Sequence, residues 1–320
     1  MNYNPIVIVA GEPNSVFLEI FFKTIKKKIK RPIILIASEK LVLMQMKKLK
    51  FNYLINLINK DEINFNKLSK KKINLINVNY LFKKPFEKIS NKSNNYISRC
   101  FFIALSIVKN NKYVDLINGP ISKKNFLREK FLGITEYLSQ KTSTKTGVAM
   151  LIYNKKLSVS PLTTHLPIKE VNKNISKQKI INQVILINAF YKKKFKKKPR
   201  IAITGLNPHC ESNYKSSEED KYIKPAIKVL LKKRLLVKGP FSADTIFMKQ
   251  HTAKYDVIIG MYHDQVLTPA KTLFGFKAIN VTLGLPFFRI SPDHGPNTQM
   301  MGKNISDPTS LIEAFKFLDN

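Results

Sequence analysis

Short β-branched runs alternate with longer stretches of helical period along this chain, and no other feature limits its fold as much. Residues 6–10, 32–37, 73–78, 113–117, 200–205, 235–238, 255–261 and 278–283 read as strands. Between them, residues 15–29, 39–49, 96–109, 135–140, 176–193, 217–232 and 243–250 carry the spacing or caps of helices. Such alternation lays helices on a largely parallel sheet, so the expected class is α/β. Residues 147–153 and 157–162 are the exception, being close enough to pair antiparallel. Residues 50–72 are rich in Asn and Lys with no clear period, and no element is expected there. The 320-residue length allows a sizeable core and favours about two domains.

The composition excludes several classes. An apolar fraction of 44% is that of a globular protein. No apolar run reaches the roughly 20 residues that span a bilayer. Residues 1–10 have no basic n-region and no small-residue cleavage site, so no signal peptide is expected. Two cysteines, Cys100 and Cys210, are too few for a disulfide framework and have no metal spacing. A reducing cytoplasm is the expected location. Two nucleotide signatures are absent: no Gly-x-Gly-x-x-Gly follows a strand, and there is no Gly-x-x-x-x-Gly-Lys-Ser/Thr.

The net charge of +35 invites a nucleic-acid reading. The lysines, however, are spread along the chain, at Lys26–Lys28, Lys47-Lys48, Lys70–Lys72, Lys192–Lys194, Lys196–Lys198 and Lys232-Lys233. Arginines are few: Arg31, Arg99, Arg128, Arg200, Arg234 and Arg289. A phosphate-backbone reader leans on arginine forks and interleaved aromatics. A solvated basic surface with no specific nucleic-acid partner is the reading adopted, and a dedicated nucleic-acid site is its rival.

Three of the five histidines sit just past strand-like runs. They are Thr163-Thr164-His165, Asn207-Pro208-His209 and Tyr262-His263-Asp264. In α/β proteins, ligand-handling groups gather beyond the carboxyl ends of the strands. Three imidazoles delivered there are enough to hold one divalent metal and leave a position open. Taken alone, each is more often an ordinary structural histidine than a ligand. Asp264 beside His263 is a partner for a ligating ring, since such rings usually donate their second nitrogen to a carboxylate.

An anion-binding set lies further on. Lys271 falls on the next expected helix, and Asn280 and Arg289 flank Val281-Thr282-Leu283-Gly284-Leu285-Pro286. Arg289 follows Phe287-Phe288 in what reads as a glycine- and proline-rich loop. That setting suits bidentate phosphate or carboxylate binding, and equally a salt bridge to a nearby acid. The stretch Asp293-His294-Gly295-Pro296-Asn297 is a cofactor-loop candidate through Gly295 and Asn297, or an ordinary turn.

Together these segments resemble the 4-hydroxythreonine-4-phosphate dehydrogenases of pyridoxal phosphate (vitamin B6) biosynthesis. The matching stretches run in family order. They are Asn118-Gly119-Pro120-Ile121-Ser122-Lys123, Thr163-Thr164-His165-Leu166-Pro167, Gly205-Leu206-Asn207-Pro208-His209 and Gly239-Pro240 with Ala243-Asp244-Thr245. The longest runs from Met261-Tyr262-His263-Asp264-Gln265 through residues 280–286 to Arg289 and Asp293-His294-Gly295. The resemblance implies a two-domain isocitrate/isopropylmalate dehydrogenase-like fold with the active site in the inter-domain cleft. It implies domains of residues 1–121 with 270–320, on the cofactor side, and 122–269, on the metal and dimer side. It also implies a homodimer that shares its active site between subunits.

By position, His165, His209 and His263 match the family's metal ligands, and Thr135, Lys271, Asn280 and Arg289 its substrate contacts. Lys271 and Asp264 are the catalytic candidates. The implied reaction is NAD-dependent, or NADP-dependent, oxidation of 4-phosphooxy-L-threonine to 2-amino-3-oxo-4-phosphooxybutanoate. That product decarboxylates to 3-amino-2-oxopropyl phosphate on the way to pyridoxine 5'-phosphate. Zinc suits a three-histidine site, and cobalt, manganese or magnesium can also serve.

The sequence departs from the family pattern in three places. Ile134 stands where the family's Gly-His-Thr-Glu motif has histidine, which removes one polar contact. Pro296-Asn297-Thr298-Gln299 replaces the usual Thr-Ala-x-Asp. Asn14-Ser15-Val16-Phe17 replaces an N-terminal stretch that usually holds glycines. Dehydrogenation of a phosphorylated sugar acid, 4-phospho-threonate or 4-phospho-erythronate, is therefore an alternative, as is a non-catalytic nucleic-acid-binding relative.

Overall fold

The computed structural model describes residues 4–27, 29–111, 113–127, 131, 133–144, 147–211, 217–292 and 294–319. Lys28, Arg128 and Asp293, named above, lie outside the described residues. The chain divides into two compact units, Met1–Phe131 with Pro286–Asn320, and Leu132–Leu285.

The chain starts in unit one with β1 (Ile6–Val9), α1 (Phe17–Ile25), β2 (Ile33–Ala37) and α2 (Glu39–Lys48). It continues with β3 (Ile55–Leu57), β4 (Ile73–Asn77), α3 (Asn94–Asn110) and β5 (Asp115–Asn118). Unit two begins with α4 (Ile134–Lys141), β6 (Ala149–Tyr153), β7 (Ser158–Thr163), α5 (Lys177–Phe195) and β8 (Ile201–Thr204). It goes on through α6 (Lys224–Lys232), β9 (Val237–Phe241), α7 (Lys249–Thr252), β10 (Val257–Tyr262), α8 (His263–Phe274) and β11 (Ile279–Leu283). The chain then returns to unit one for β12 (Arg289–Pro292) and α9 (Thr309–Asp319).

In unit one the strand order is β3-β4-β2-β1-β5-β12, and every neighbouring pair is parallel. β1 is Ile-Val-Ile-Val and buried throughout, as a parallel strand covered on both faces must be. Two of the helices begin at a serine whose side chain satisfies an early amide. The Ser38 hydroxyl, for example, accepts from Leu41 N at 3.4 Å to cap α2.

In unit two the order is β11-β6-β7-β10-β8-β9. The hairpin β6–β7 and the pair β6–β11 are antiparallel, while β7, β10, β8 and β9 run parallel. The expected antiparallel hairpin is therefore present. α8 packs on β10 and β7, with Val266, Leu267 and Ala270 closing over Val159 and Ile258. The division into units falls at 131/132 and 285/286, against the expected 121/122 and 269/270. The second boundary follows from packing: α8 lies on β10, and β11 pairs with β6, so both belong with the middle of the chain.

Several elements differ from the sequence reading. The helix expected over residues 243–250 is not formed. Residues 243–248 make successive turns, with Ile246 N on Ser242 O and Met248 N on Thr245 O, and Met248 is extended at ψ 143°. Only Lys249–Thr252 is helical. Arg289 stands at the start of strand β12 rather than in a loop. β3 and α9 were not anticipated at all.

Candidate active site

The strands β7, β10 and β8 are adjacent and parallel, so their carboxyl ends share one edge of unit two. Tyr262 on β10 lies level with Thr163 on β7. That register puts His263 and His165, one and two residues further on, side by side. Their ring centroids are 5.6 Å apart, with planes tilted by 38°. The Thr163 hydroxyl donates to Met261 O at 2.8 Å and ties the two strand ends together. His165 adopts a left-handed backbone, φ 51°, which is uncommon for a residue with a side chain and clusters at functional sites.

His263 is the first residue of α8, and its Nδ1 lies 2.6 Å from Asp264 Oδ1. The carboxylate holds the ring at Nδ1, the second-nitrogen partnership that ligating histidines use. Gln265, next in sequence, locks this turn. Its side-chain carbonyl accepts from Met261 N at 2.7 Å and from the Thr204 hydroxyl at 2.9 Å, and its amide donates to Gly205 O at 2.8 Å.

His209 lies beyond β8 in a short turn, Pro208–Cys210, at φ 55° with Cys210 at φ 60°. The loop before it hangs on Glu219, whose side chain is buried. Glu219 Oε1 accepts from Leu206 N at 2.7 Å and Asn207 N at 2.9 Å, and Oε2 accepts from Asn207 Nδ2 at 2.8 Å. Burial alone would raise this carboxyl. The hydrogen bonds from Asn207 and Leu206 outweigh it and hold Glu219 below the usual carboxylate range. His209 sits within electrostatic reach of Asp244, whose carboxyl is held low first by the Ser242 hydroxyl and also by that imidazole.

The structure thus brings His165 and His263 together, while His209 stands with a different neighbour. Among the described residues, no three His, Cys, Asp or Glu side chains of one chain form a group that could hold a metal. In kind, the donors fit a borderline divalent ion. Two imidazoles adjoin, and one already has a carboxylate on its second nitrogen.

The remaining candidates are placed as follows. Thr135, in the first turn of α4, is 3.4 Å from the Thr282 hydroxyl on β11. Asn280, two residues before Thr282, donates weakly to Met150 Sδ, and its Oδ1 is buried with no hydrogen-bond partner among the described residues. Lys271 lies two turns along α8 from His263, with Nζ 5.9 Å from the Phe276 ring centroid. The helical rise separates the two backbones by roughly 12 Å.

Arg289 belongs to unit one. It is fully buried, and its Nε donates to Asn118 Oδ1 at 2.7 Å. Gly295 is exposed, and nothing lies within 4 Å of where a Cβ would stand. Asn297 is left-handed at φ 47°, and Pro296 O accepts from Val16 N at 3.1 Å. Gln265, Glu219 and Glu136 were not singled out from sequence. Gln265 and Glu136 stood in matching motifs and Glu219 in none, and the contacts that give the three a role were not visible.

The family model for "Pyridoxal phosphate biosynthetic protein PdxA" matches residues 28–318. The 4-hydroxythreonine-4-phosphate dehydrogenase of Sulfurihydrogenibium sp. (strain YO3AOP1) is 40% identical over 97% of this chain and 95% of its own length. This chain belongs to the 4-hydroxythreonine-4-phosphate dehydrogenase (PdxA) family. It is accordingly an oxidoreductase. A crystal structure of a family member from Burkholderia phymatum superposes with a TM-score of 0.79 at 27% identity, covering 99% of this chain and 98% of that one.

The likeness in fold extends beyond the PdxA family. A β-decarboxylating dehydrogenase from Thermococcus kodakarensis matches with a TM-score of 0.50 at 9% identity, over 97% of this chain and 80% of that one. The expected fold class, that of the isocitrate and isopropylmalate dehydrogenases, is the one observed. Among the described residues no helix is long and apolar enough to cross a membrane.

Proposed function

We propose that this PdxA-family chain oxidises 4-phosphooxy-L-threonine at C3, with NAD or NADP as hydride acceptor and a divalent metal, in pyridoxine 5'-phosphate biosynthesis. The observation that carries the reading is the pairing of His165 with His263 at two adjoining strand ends, with Asp264 on the second ring. We assign the metal to His165, His209 and His263. Because only two of these meet within one chain, the reading includes a homodimer in which the site is completed between subunits. Zinc is the first choice, followed by cobalt, manganese and magnesium.

The chemistry follows from the residues. The C3–H bond breaks and its electron pair leaves as hydride to the nicotinamide, while the hydroxyl proton is released. The product, 2-amino-3-oxo-4-phosphooxybutanoate, then loses carbon dioxide and takes a proton at C2 to give 3-amino-2-oxopropyl phosphate. A bound divalent ion lowers the pKa of the alcohol and favours negative charge on its oxygen. Asp264 holds the His263 ring in one tautomer. Lys271 is assigned the proton transfers. Thr135, Asn280 and Arg289 orient the substrate, and the Asn118 bond keeps Arg289 aimed. The buried Oδ1 of Asn280 is an acceptor ready for a substrate N–H or O–H. Positioning of this kind supplies several kcal/mol of rate acceleration. Gly295 and Asn297 are assigned to the cofactor loop. The enzyme is placed in the cytoplasm.

Nicotinamide reduction with 4-phosphooxy-L-threonine and added zinc or cobalt tests the reading. Turnover that disappears on chelation supports it, and none from a folded, metal-loaded dimer refutes it. One observation keeps a second substrate in view: Ile134, at the start of α4, offers no hydrogen bond. Running 4-phospho-threonate and 4-phospho-erythronate beside the amino acid separates these cases.

A further inference from the structure

We propose that Glu136 is the positioning residue for His165, accepting the ring's Nδ1–H and leaving Nε2 to face the metal. The inference rests on the metal reading above and adds a residue to it. Gly133, immediately before α4, has no side chain, and two groups crowd the space this leaves. A Cβ built there would lie 2.9 Å from Glu136 Oε2 and 3.3 Å from both Nδ1 and Cε1 of His165. The carboxylate and the ring therefore occupy one small volume over the same glycine.

Glu136 Oε2 is itself buried and accepts no hydrogen bond among the described residues. A buried carboxylate oxygen without a donor is costly, and the His165 ring beside the same glycine, not hydrogen-bonded to that oxygen in this structure, carries a donor that would satisfy it. The chain already makes this partnership once, between His263 Nδ1 and Asp264 Oδ1 at 2.6 Å. The second pair has the same logic, with the acid supplied by a helix start rather than by the next residue.

Among the described residues of one chain Glu136 joins no three-donor group, any more than His209 does, so direct ligation is a separate outcome that the cobalt bands distinguish. The acid and the Nδ1–Cε1 edge of His165 lie beside the same glycine, within reach of each other. Ring-orienting carboxylates of this kind set metal affinity by roughly 10- to 100-fold.

The test uses the full-length protein, with cobalt(II) as probe, in wild type, Glu136→Gln and Glu136→Ala. Cobalt affinity is read by titration, coordination by the visible absorption bands, and the His165 tautomer by imidazole nitrogen NMR. With only five histidines in the chain, the His165 signal is assignable by its loss in His165→Asn. The expected result is a 10- to 100-fold weaker cobalt affinity in Glu136→Ala. A smaller loss is expected in Glu136→Gln, whose amide oxygen still accepts. Band shape should not change, and His165 should lose its Nδ1–H preference in Glu136→Ala. Wild-type affinity in both variants, or an unchanged tautomer, overturns the inference while leaving the metal reading standing. Altered bands in Glu136→Gln overturn it in favour of direct ligation. A wild-type protein that binds no cobalt overturns both.

Discussion

The Gln265 side chain bridges two strands, accepting the Thr204 hydroxyl at the end of β8 while its own backbone lies just past β10. The same side chain also holds Met261 N and Gly205 O. It therefore sets how the ends of β8 and β10 stand relative to each other, and with them the turns that carry His209 and His263. Gln265→Leu keeps the volume and removes all three bonds, taking their Gln265 partner from the Met261 amide, the Gly205 carbonyl and the Thr204 hydroxyl. Stability should fall by roughly 2–4 kcal/mol. Urea unfolding measures this, and a loss below 1 kcal/mol, on the order of a single net hydrogen bond, would show that water replaces the side chain.

Asp264 is largely exposed, so its removal should spare the fold and strike the metal. Asp264→Asn replaces a charge-assisted contact on His263 Nδ1 with a neutral one. Metal affinity should fall roughly 10- to 100-fold, with thermal stability of the metal-free protein unchanged. Calorimetric zinc titration after chelator treatment measures the first, and a melting curve the second. Equal zinc affinity in the variant and wild type would remove Asp264 from the assignment.

Acid should loosen the His209 loop through Glu219. Its folded pKa lies below the unfolded value, because hydrogen bonds from Asn207 and Leu206 outweigh the cost of burial. A depressed carboxyl stabilises the fold above its unfolded pKa, and that contribution is lost as pH falls through the folded pKa. Glu12 carries the opposite sign. Burial raises its pKa despite bonds from Asn14 and Ser93, so its ionisation works against the fold as pH rises. Melting temperature against pH should therefore fall more steeply on the acid side in wild type than in Glu219→Gln. Parallel curves would contradict the assignment.

How much of this was legible depends on whether a residue's role is local or tertiary. β1, β8 and β10 announce themselves as β-branched runs, and the histidines as residues just beyond such runs. β12 did not, because its four residues follow Pro286-Phe287-Phe288 and open with a buried arginine. β3 is three residues in an Asn- and Lys-rich stretch and is held by pairing to β4 rather than by its own pattern. That His165 and His263 meet as neighbours rests on β7 lying beside β10, but that each lies beyond a strand could be anticipated from its place just past a β-branched run. The separation of His209 could not, because it follows from a left-handed turn suspended on Glu219. Gln265 and Glu136 read as ordinary polar residues until their partners are seen.

Gly205 offers a direct test of that suspended turn. A Cβ there would stand 2.8 Å from Cys210 Sγ and 2.9 Å from Glu219 Oε1. Both neighbours belong to the machinery that fixes the loop: Glu219 holds Leu206 and Asn207, and Cys210 follows His209 directly. Gly205→Ala must push one of them aside, and overpacking of this kind costs roughly 1–3 kcal/mol. Cys210→Ala removes the sulfur and with it the nearer of the two clashes. The double variant Gly205→Ala/Cys210→Ala should therefore recover part of the stability lost by Gly205→Ala alone, measured by urea unfolding of all four proteins. Strictly additive losses would mean that the loop yields elsewhere, and that the sulfur is not what holds it against β8.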